Sequence, residues 1–277
     1  MTVDVLPVPA RFAAIDARRG EVAAWWLGQS SFLLRLAGAT VLVDPFLAPF
    51  PERLVPPPFA PEDARGIDLV AVTHDHLDHL DETSVQGIAA ASPPARFVAP
   101  LPVIHRLGVE HARVVGLQPG ETTAVGELRV HAVAAAHGDE PADAYGFFGT
   151  AGAGAYRYLG YVFDGDGVRV YHAGDTILYD GLADAVRELH PDIAMLPING
   201  RDAEREAMGI VGNLDEREAV ELAAAAGADV LVPMHWDMFA ANPGAPELTV
   251  AIARAEHPEL AVLVPSRERP FVYRSAR

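Results

Sequence analysis

Leu69-Val70-Ala71-Val72-Thr73 runs directly into His74-Asp75-His76-Leu77-Asp78-His79. The first five residues, apolar and rich in β-branched side chains, predict a buried strand. The next six set three imidazoles and two carboxylates at its end, on a loop whose backbone can bend to aim them. Each of these side chains is a donor for a first-row metal ion. An HxHxDH spacing arises by chance in roughly one shuffled chain of this composition in a thousand. An exposed polar turn is the competing reading of the same six residues.

A metal centre needs donors beyond one loop, and other strand ends supply them. His137 follows the run from Leu128 to Ala136, Asp175 follows Val170-Tyr171-His172-Ala173-Gly174, and His235 follows Val230-Leu231-Val232-Pro233-Met234. A lone histidine in such a place is more often a satisfied core residue than a ligand. Four apolar strands that each end in a metal-capable residue form a pattern.

Composition narrows the chemistry further. The chain has 277 residues, 50% hydrophobic, with no Cys, so disulfides, thiolate nucleophiles, iron-sulfur clusters and Cys-based zinc sites are excluded. All 21 basic residues are Arg, against 38 acidic ones, for a formal charge of −17. That balance disfavours nucleic acid, whose binding draws on basic side chains. Neither a secretory leader nor an 18-residue apolar span is read in the sequence, so no membrane partner is expected and the cytoplasm is the expected location.

Outward from the central motif, the chain reads as strands at 22–27, 31–36, 40–43, 68–73, 96–99, 113–116, 128–136, 158–163 and 168–172. Helical spacing appears at 82–91, 181–189 and 215–226, with strands at 192–196 and 229–233. Asp215 with Glu218 predicts a helix cap, and Asp164 to Gly167 a tight hairpin turn. The Pro-rich stretch 45–61 reads as a loop over one end of the fold, and the Gly-rich stretch 146–154 as a flexible loop. The expected whole is one domain, residues 1–277, in which two sheets pack face to face with helices outside.

The ordered set His74, His76, Asp78, His79, then His137, Asp175 and His235 resembles the metallo-β-lactamase superfamily over nearly the whole chain. Several segments are similar to its L-ascorbate-6-phosphate lactonase branch: WLGQSSF at 26–32, VDPF at 43–46, AGDT at 173–176, INGRD at 198–202, VGN at 211–213 and PMHWDMF at 233–239. The resemblance implies an α+β fold, an αββα sandwich of two mixed sheets flanked by helices. It implies two divalent metal ions, one held by His74, His76 and His137, the other by Asp78, His79 and His235, with Asp175 bridging. Manganese is favoured by the branch, and zinc or Fe(II) also suits a nitrogen and oxygen donor set.

The activity so implied is hydrolysis of a small molecule, foremost the opening of a sugar lactone by water activated between two cations. Asp78, Asp175 and Asp75 are the candidate catalytic carboxylates, with Asp78 or Asp75 as proton donor. Arg201 and Arg205 are candidates for gripping a substrate phosphate, or for pairing with acidic neighbours on a helix face. Asn199 and Asn213 are candidates for substrate hydroxyls, or ordinary turn residues. Gln29 and the pair Trp25-Trp26 divide between core and pocket wall, and His172 reads as a strand residue or a partner behind a ligand. A phosphodiesterase of the same fold and a non-catalytic metal-binding sensor are the alternatives. A homo-oligomer is expected.

Overall fold

The computed structural model describes residues 8–149 and 154–275. β1 (Glu21–Gly28), β2 (Ser31–Leu36) and β3 (Ala39–Val43) form an antiparallel meander, extended in parallel by β4 (Leu69–Ala71), β5 (Arg96–Pro100) and β6 (Val114–Leu117). The second sheet starts with β7 (Thr122–Val125), β8 (Leu128–Ala134), β9 (Leu159–Gly165) and β10 (Val168–His172), antiparallel throughout. It continues in parallel through β11 (Ile193–Pro197), β12 (Val230–Met234) and β13 (Ala261–Val262). β14 (Phe271–Arg274) then returns to the first sheet and pairs with β1, so each sheet has seven strands among the described residues.

Three apolar layers follow from the two-residue period of the strands. Between the sheets lie Trp26, Phe32, Leu34, Tyr161, Phe163 and Met195. On the outer face of the first sheet, Trp25, Leu33 and Phe97 pack with Phe12 of α1 (Val8–Ala13) and with Val85 and Ile88 of α2 (Glu82–Ala91). On the outer face of the second, Tyr171, Ala194 and Leu231 meet Val186 of α3 (Leu182–Glu188), Val220 of α5 (Glu216–Ala226) and Ile252 of α6 (Pro246–Glu256). The short α4 (Ala203–Ala207) carries no buried residue. Trp25 and Trp26, adjacent in sequence, thus point to opposite layers, and both belong to the core. The result is the αββα sandwich.

The predicted punctuation is present. Asp215 accepts from the Glu218 amide while the Glu218 side chain returns to the Asp215 amide, a full capping box. Asp166 (φ 55°) and Gly167 (φ 84°) are both left-handed in the β9–β10 hairpin, as a two-residue turn requires. Two strands end earlier than their apolar runs. The ladder releases β4 at Ala71 and β8 at Ala134 rather than Thr73 and Ala136, leaving the next residues free to turn toward the site. The Pro-rich stretch holds no strand, and the expected flexible loop at 146–154 lies partly outside the described residues. No helix among the described residues is long and apolar enough to cross a membrane.

Phe163 is fully buried between the sheets, so Phe163→Ala should cost about 3–5 kcal/mol of stability in urea titrations. Leu54→Ala, at a side chain 62% exposed, should change it by less than about 0.5 kcal/mol.

Candidate metal centre

The ends of β4, β8, β10 and β12 deliver the seven donors to one place. Within the 74–79 loop the His79 and Leu80 amides both turn back to the His76 carbonyl, at 3.0 and 2.7 Å, which folds His74, His76, Asp78 and His79 to the same side. The ring of His74 lies 4.6 Å from that of His76, 4.0 Å from His79 and 5.4 Å from His137. Asp175 sits among the rest, its Oδ1 3.2 Å from His79 Nε2 and its Oδ2 3.2 Å from His235 Nε2 and 3.6 Å from His137 Nε2. Among the described residues three donor groups result, each with ligand atoms within 4.8 Å of one another: His74, His76 and His137; His74, His79 and Asp175; Asp78, His79 and His235.

Several of these donors are buried and lack hydrogen-bond partners, among them His74 Nε2, His79 Nε2 and Asp175 Oδ1. A buried polar atom left unsatisfied costs about 1–3 kcal/mol, so several at one spot imply a partner of another kind. A divalent cation fits them. The electrostatics agree. Burial, reinforced by the neighbouring imidazoles, keeps His74 well below the ordinary histidine range, and burial brings His137 down to about 3, so both are neutral and free to donate a lone pair. Burial works the same way on His79 and His235, but is outweighed there. Asp175, Asp78 and Asp44 hold His79 well above its usual range, and Asp175 and Asp78 raise His235 to about 9. A field that favours positive charge on two rings equally favours a metal cation.

Three residues aim the donors. Asp44, fully buried after β3, accepts from the Thr73 amide (2.7 Å), from Thr73 Oγ1 (2.7 Å) and from His79 Nδ1 (2.8 Å). With its Nδ1 hydrogen directed at this carboxylate, His79 turns Nε2 toward Asp175. Gln29, after β1, donates Nε2 to Asp78 Oδ2 (2.7 Å), lies 3.0 Å from His235 Nε2, and accepts the His235 amide on its own carbonyl (3.1 Å). Gly174 (φ 61°) makes the turn into Asp175, where a Cβ would meet the Thr73 side chain at 2.7 Å and the Leu159 carbonyl at 2.9 Å. His172 stands behind this turn, Nε2 donating to the Ser30 carbonyl (2.8 Å) and Nδ1 accepting from the Gly174 amide (3.2 Å). Sequence reading assigned no role to Asp44, although it too is a donor residue at the end of an apolar strand.

The expected proton donors are differently placed. Burial alone would raise Asp75, but Arg157 grips both its oxygens (2.8 and 2.9 Å) and Arg106 adds a third bond (2.8 Å), leaving the carboxyl below its usual range. Burial of Asp78 is likewise outweighed by His79 and His235, which hold it well below. Both surroundings favour the carboxylate form. Asp139, beside His137, lines the cleft together with Asp78, its Oδ1 3.5 Å from His76 Nε2 and 3.1 Å from the Tyr158 hydroxyl.

The four predicted substrate contacts brace one another. Arg201 donates to both oxygens of Glu218 (2.6 Å each) and to the Asn213 carbonyl (2.9 Å). Arg205 donates to the Asn199 carbonyl and the Asn242 side chain, and pairs with Asp202. Asn213 Nδ2 donates to Asn199 Oδ1 at 3.1 Å, and Asn199 Nδ2 to Asn242 Oδ1 at 2.9 Å. Of this network only Asn242 lines the cleft that opens over the donors. The cleft has a volume of about 750 Å³ and reaches His76, Asp78, His137, Asp175 and His235 at its floor.

Residues 39–236 match the model of the beta-lactamase superfamily domain. A UPF0173 metal-dependent hydrolase of Myxococcus xanthus is 30% identical over 87% of this chain and 81% of its own. One from Archaeoglobus fulgidus is 34% identical over 77% and 83%. Among solved structures, the metallo hydrolase Igni18 of Ignicoccus hospitalis superposes with a TM-score of 0.71 at 22% identity, over 92% of this chain and 99% of its own. An isothiocyanate hydrolase from Delia radicum gut bacteria gives 0.70 at 19% identity, over 92% and 100%. At these identities the two structures support the shared fold.

Asp44→Asn removes the charge behind His79 and should weaken metal binding by roughly 10–100-fold in calorimetric titration. Asp175→Ala should lower the bound metal measured by elemental analysis while the far-ultraviolet dichroism of the fold persists.

Proposed function

From a chain that belongs to the beta-lactamase superfamily, among the UPF0173 metal-dependent hydrolases, we propose that the site hydrolyses a carboxylic ester in a small molecule, a lactone ring foremost. The charge of the cleft carries this reading. Among the described lining residues the single guanidinium, Arg53, is bonded inward to the Val55 and Phe46 carbonyls, so beyond the cations no basic side chain of the lining is free to grip an anionic phosphodiester, while a neutral carbonyl ester needs none.

His74, His76 and His137 would hold one cation, Asp78, His79 and His235 the other, with Asp175 between them. When bound, two divalent ions supply Lewis acidity and bring the pKa of a water near neutrality. Manganese is the first ion to test, with zinc and Fe(II) compatible with the same donors. The protein contributes fixed geometry. Asp44 sets the ring of His79, Gln29 holds Asp78 and the backbone of His235, and Arg157 keeps Asp75 and the start of the donor loop in place. A phosphorylated sugar lactone is the weaker version of the reading, because Arg201 and Arg205 are engaged away from the cleft.

Chelator-treated protein should lose hydrolysis of γ-lactones and simple esters and recover it when manganese or zinc is returned. Turnover of bis(p-nitrophenyl) phosphate alone, with lactones and esters untouched, would overturn the assignment of the bond.

A further inference from the structure

Above the donors the cleft wall is built from three segments, and most of the side chains they present are apolar, with Glu52, Arg53 and Asn242 the polar ones among the described residues. The Pro-rich strap contributes Phe50 and Leu54, the loop after α4 contributes Ile210 and Val211, and the segment after His235 contributes Phe239. Phe46, buried beneath the strap, closes a triangle of rings with Phe50 and Phe239, with centroids 6.1, 6.2 and 6.3 Å apart. The strap is held in place: the Leu47 amide donates to Ser84 Oγ (2.9 Å), the Ala48 amide to Asp81 Oδ2 (2.8 Å) and the Leu54 amide to the Met238 carbonyl (2.9 Å). A preformed apolar wall binds by removing apolar surface from water without first ordering itself.

The rim continues the same chemistry outward. Leu54 is 62% exposed, and Met208, next to the lining residue Gly209, is 58% exposed. The single guanidinium among the described lining residues is turned inward. Arg53 donates Nε to the Val55 carbonyl (3.0 Å) and Nη1 to the Phe46 carbonyl (2.6 Å), lies 4.2 Å above the Phe46 ring, and has Nη2 shut off from solvent.

We propose that the non-reacting part of the substrate is an uncharged apolar chain, laid along Phe50, Leu54, Ile210, Val211 and Phe239 while the carbonyl faces the donor cluster. This deepens the ester-hydrolase reading and rests on it for the position of the carbonyl. The chain itself is recognised by a wall that needs no turnover to be tested.

The experiment uses metal-loaded protein, the neutral fluorophore 1-aminoanthracene as a cleft probe, and its displacement by n-alkanols from butanol to decanol and by glucose 6-phosphate. Affinity should rise about fourfold per added methylene until the wall is covered, with glucose 6-phosphate ineffective. Leu54→Asp, at an exposed side chain that leaves the core untouched, and Ile210→Asp should each weaken octanol at least about tenfold. Affinity independent of chain length, displacement by glucose 6-phosphate as effective as by octanol, or octanol binding unchanged in both variants overturns the proposal. If the alkanol series holds but no ester or lactone turns over, the choice of bond falls and the apolar chain stands. If esters turn over without any dependence on chain length, the reverse follows.

Discussion

A carboxylate with no solvent contact, Asp44, is where the fold and the site are joined. Burying a charge is costly unless donors surround it, and here three do: the Thr73 amide, Thr73 Oγ1 and His79 Nδ1. Thr73 lies just past the end of β4 and Asp44 just past β3, so the bonds that neutralise Asp44 also fix where the donor loop leaves the sheet. The same carboxylate selects the His79 tautomer whose Nε2 faces Asp175. The orientation of the ring is therefore inherited from the pairing of two parallel strands, and the remaining donors are arranged around it.

Sequence alone disclosed the parts that depend on local pattern. Alternation and β-branched runs located the central strands, and donor residues at strand ends located the site. What it hid was decided by partners far along the chain. β7 is half exposed and lacks a continuous apolar run, and β14 exists because β1, some 250 residues earlier, offers its edge. Asp44 acquires its role from residues 29 and 35 positions away. Arg201 and Arg205, in and just after the INGRD segment, read equally as phosphate ligands or as partners of acidic neighbours; Arg205 does pair with Asp202, but Glu218 and Asn242, which also engage the two, lie in later segments of the chain.

Asp75 shows a second way in which distance governs meaning. Flanked by His74 and His76, it reads as part of the reacting centre, and a strand-end loop does place it there. Its side chain turns the other way, into Arg157 and Arg106. One side of the loop carries the metal-capable donors, and the other ties the loop to the segment before β9 and to the segment after β5. Taking up a proton at this position would weaken two ion pairs.

Backbone strain completes the argument for a rigid site. Gln29 (φ 53°), Asp44 (φ 43°) and His235 (φ 61°) are all left-handed without being glycine, a conformation that costs roughly 1–3 kcal/mol when surroundings impose it. All three follow strand ends, and each is locked by its amide: Gln29 to Asp237 Oδ1, Asp44 to the Ala71 carbonyl, His235 to the Gln29 carbonyl. A loop free to relax would leave such conformations, so their persistence means that the two sheets and their crossing bonds overdetermine the position of these residues. Donors fixed in this way can bind a cation without first being ordered. A flexible apolar chain in the cleft then bears the remaining entropic cost of association, which suits a wall that acts through area more than through directed bonds.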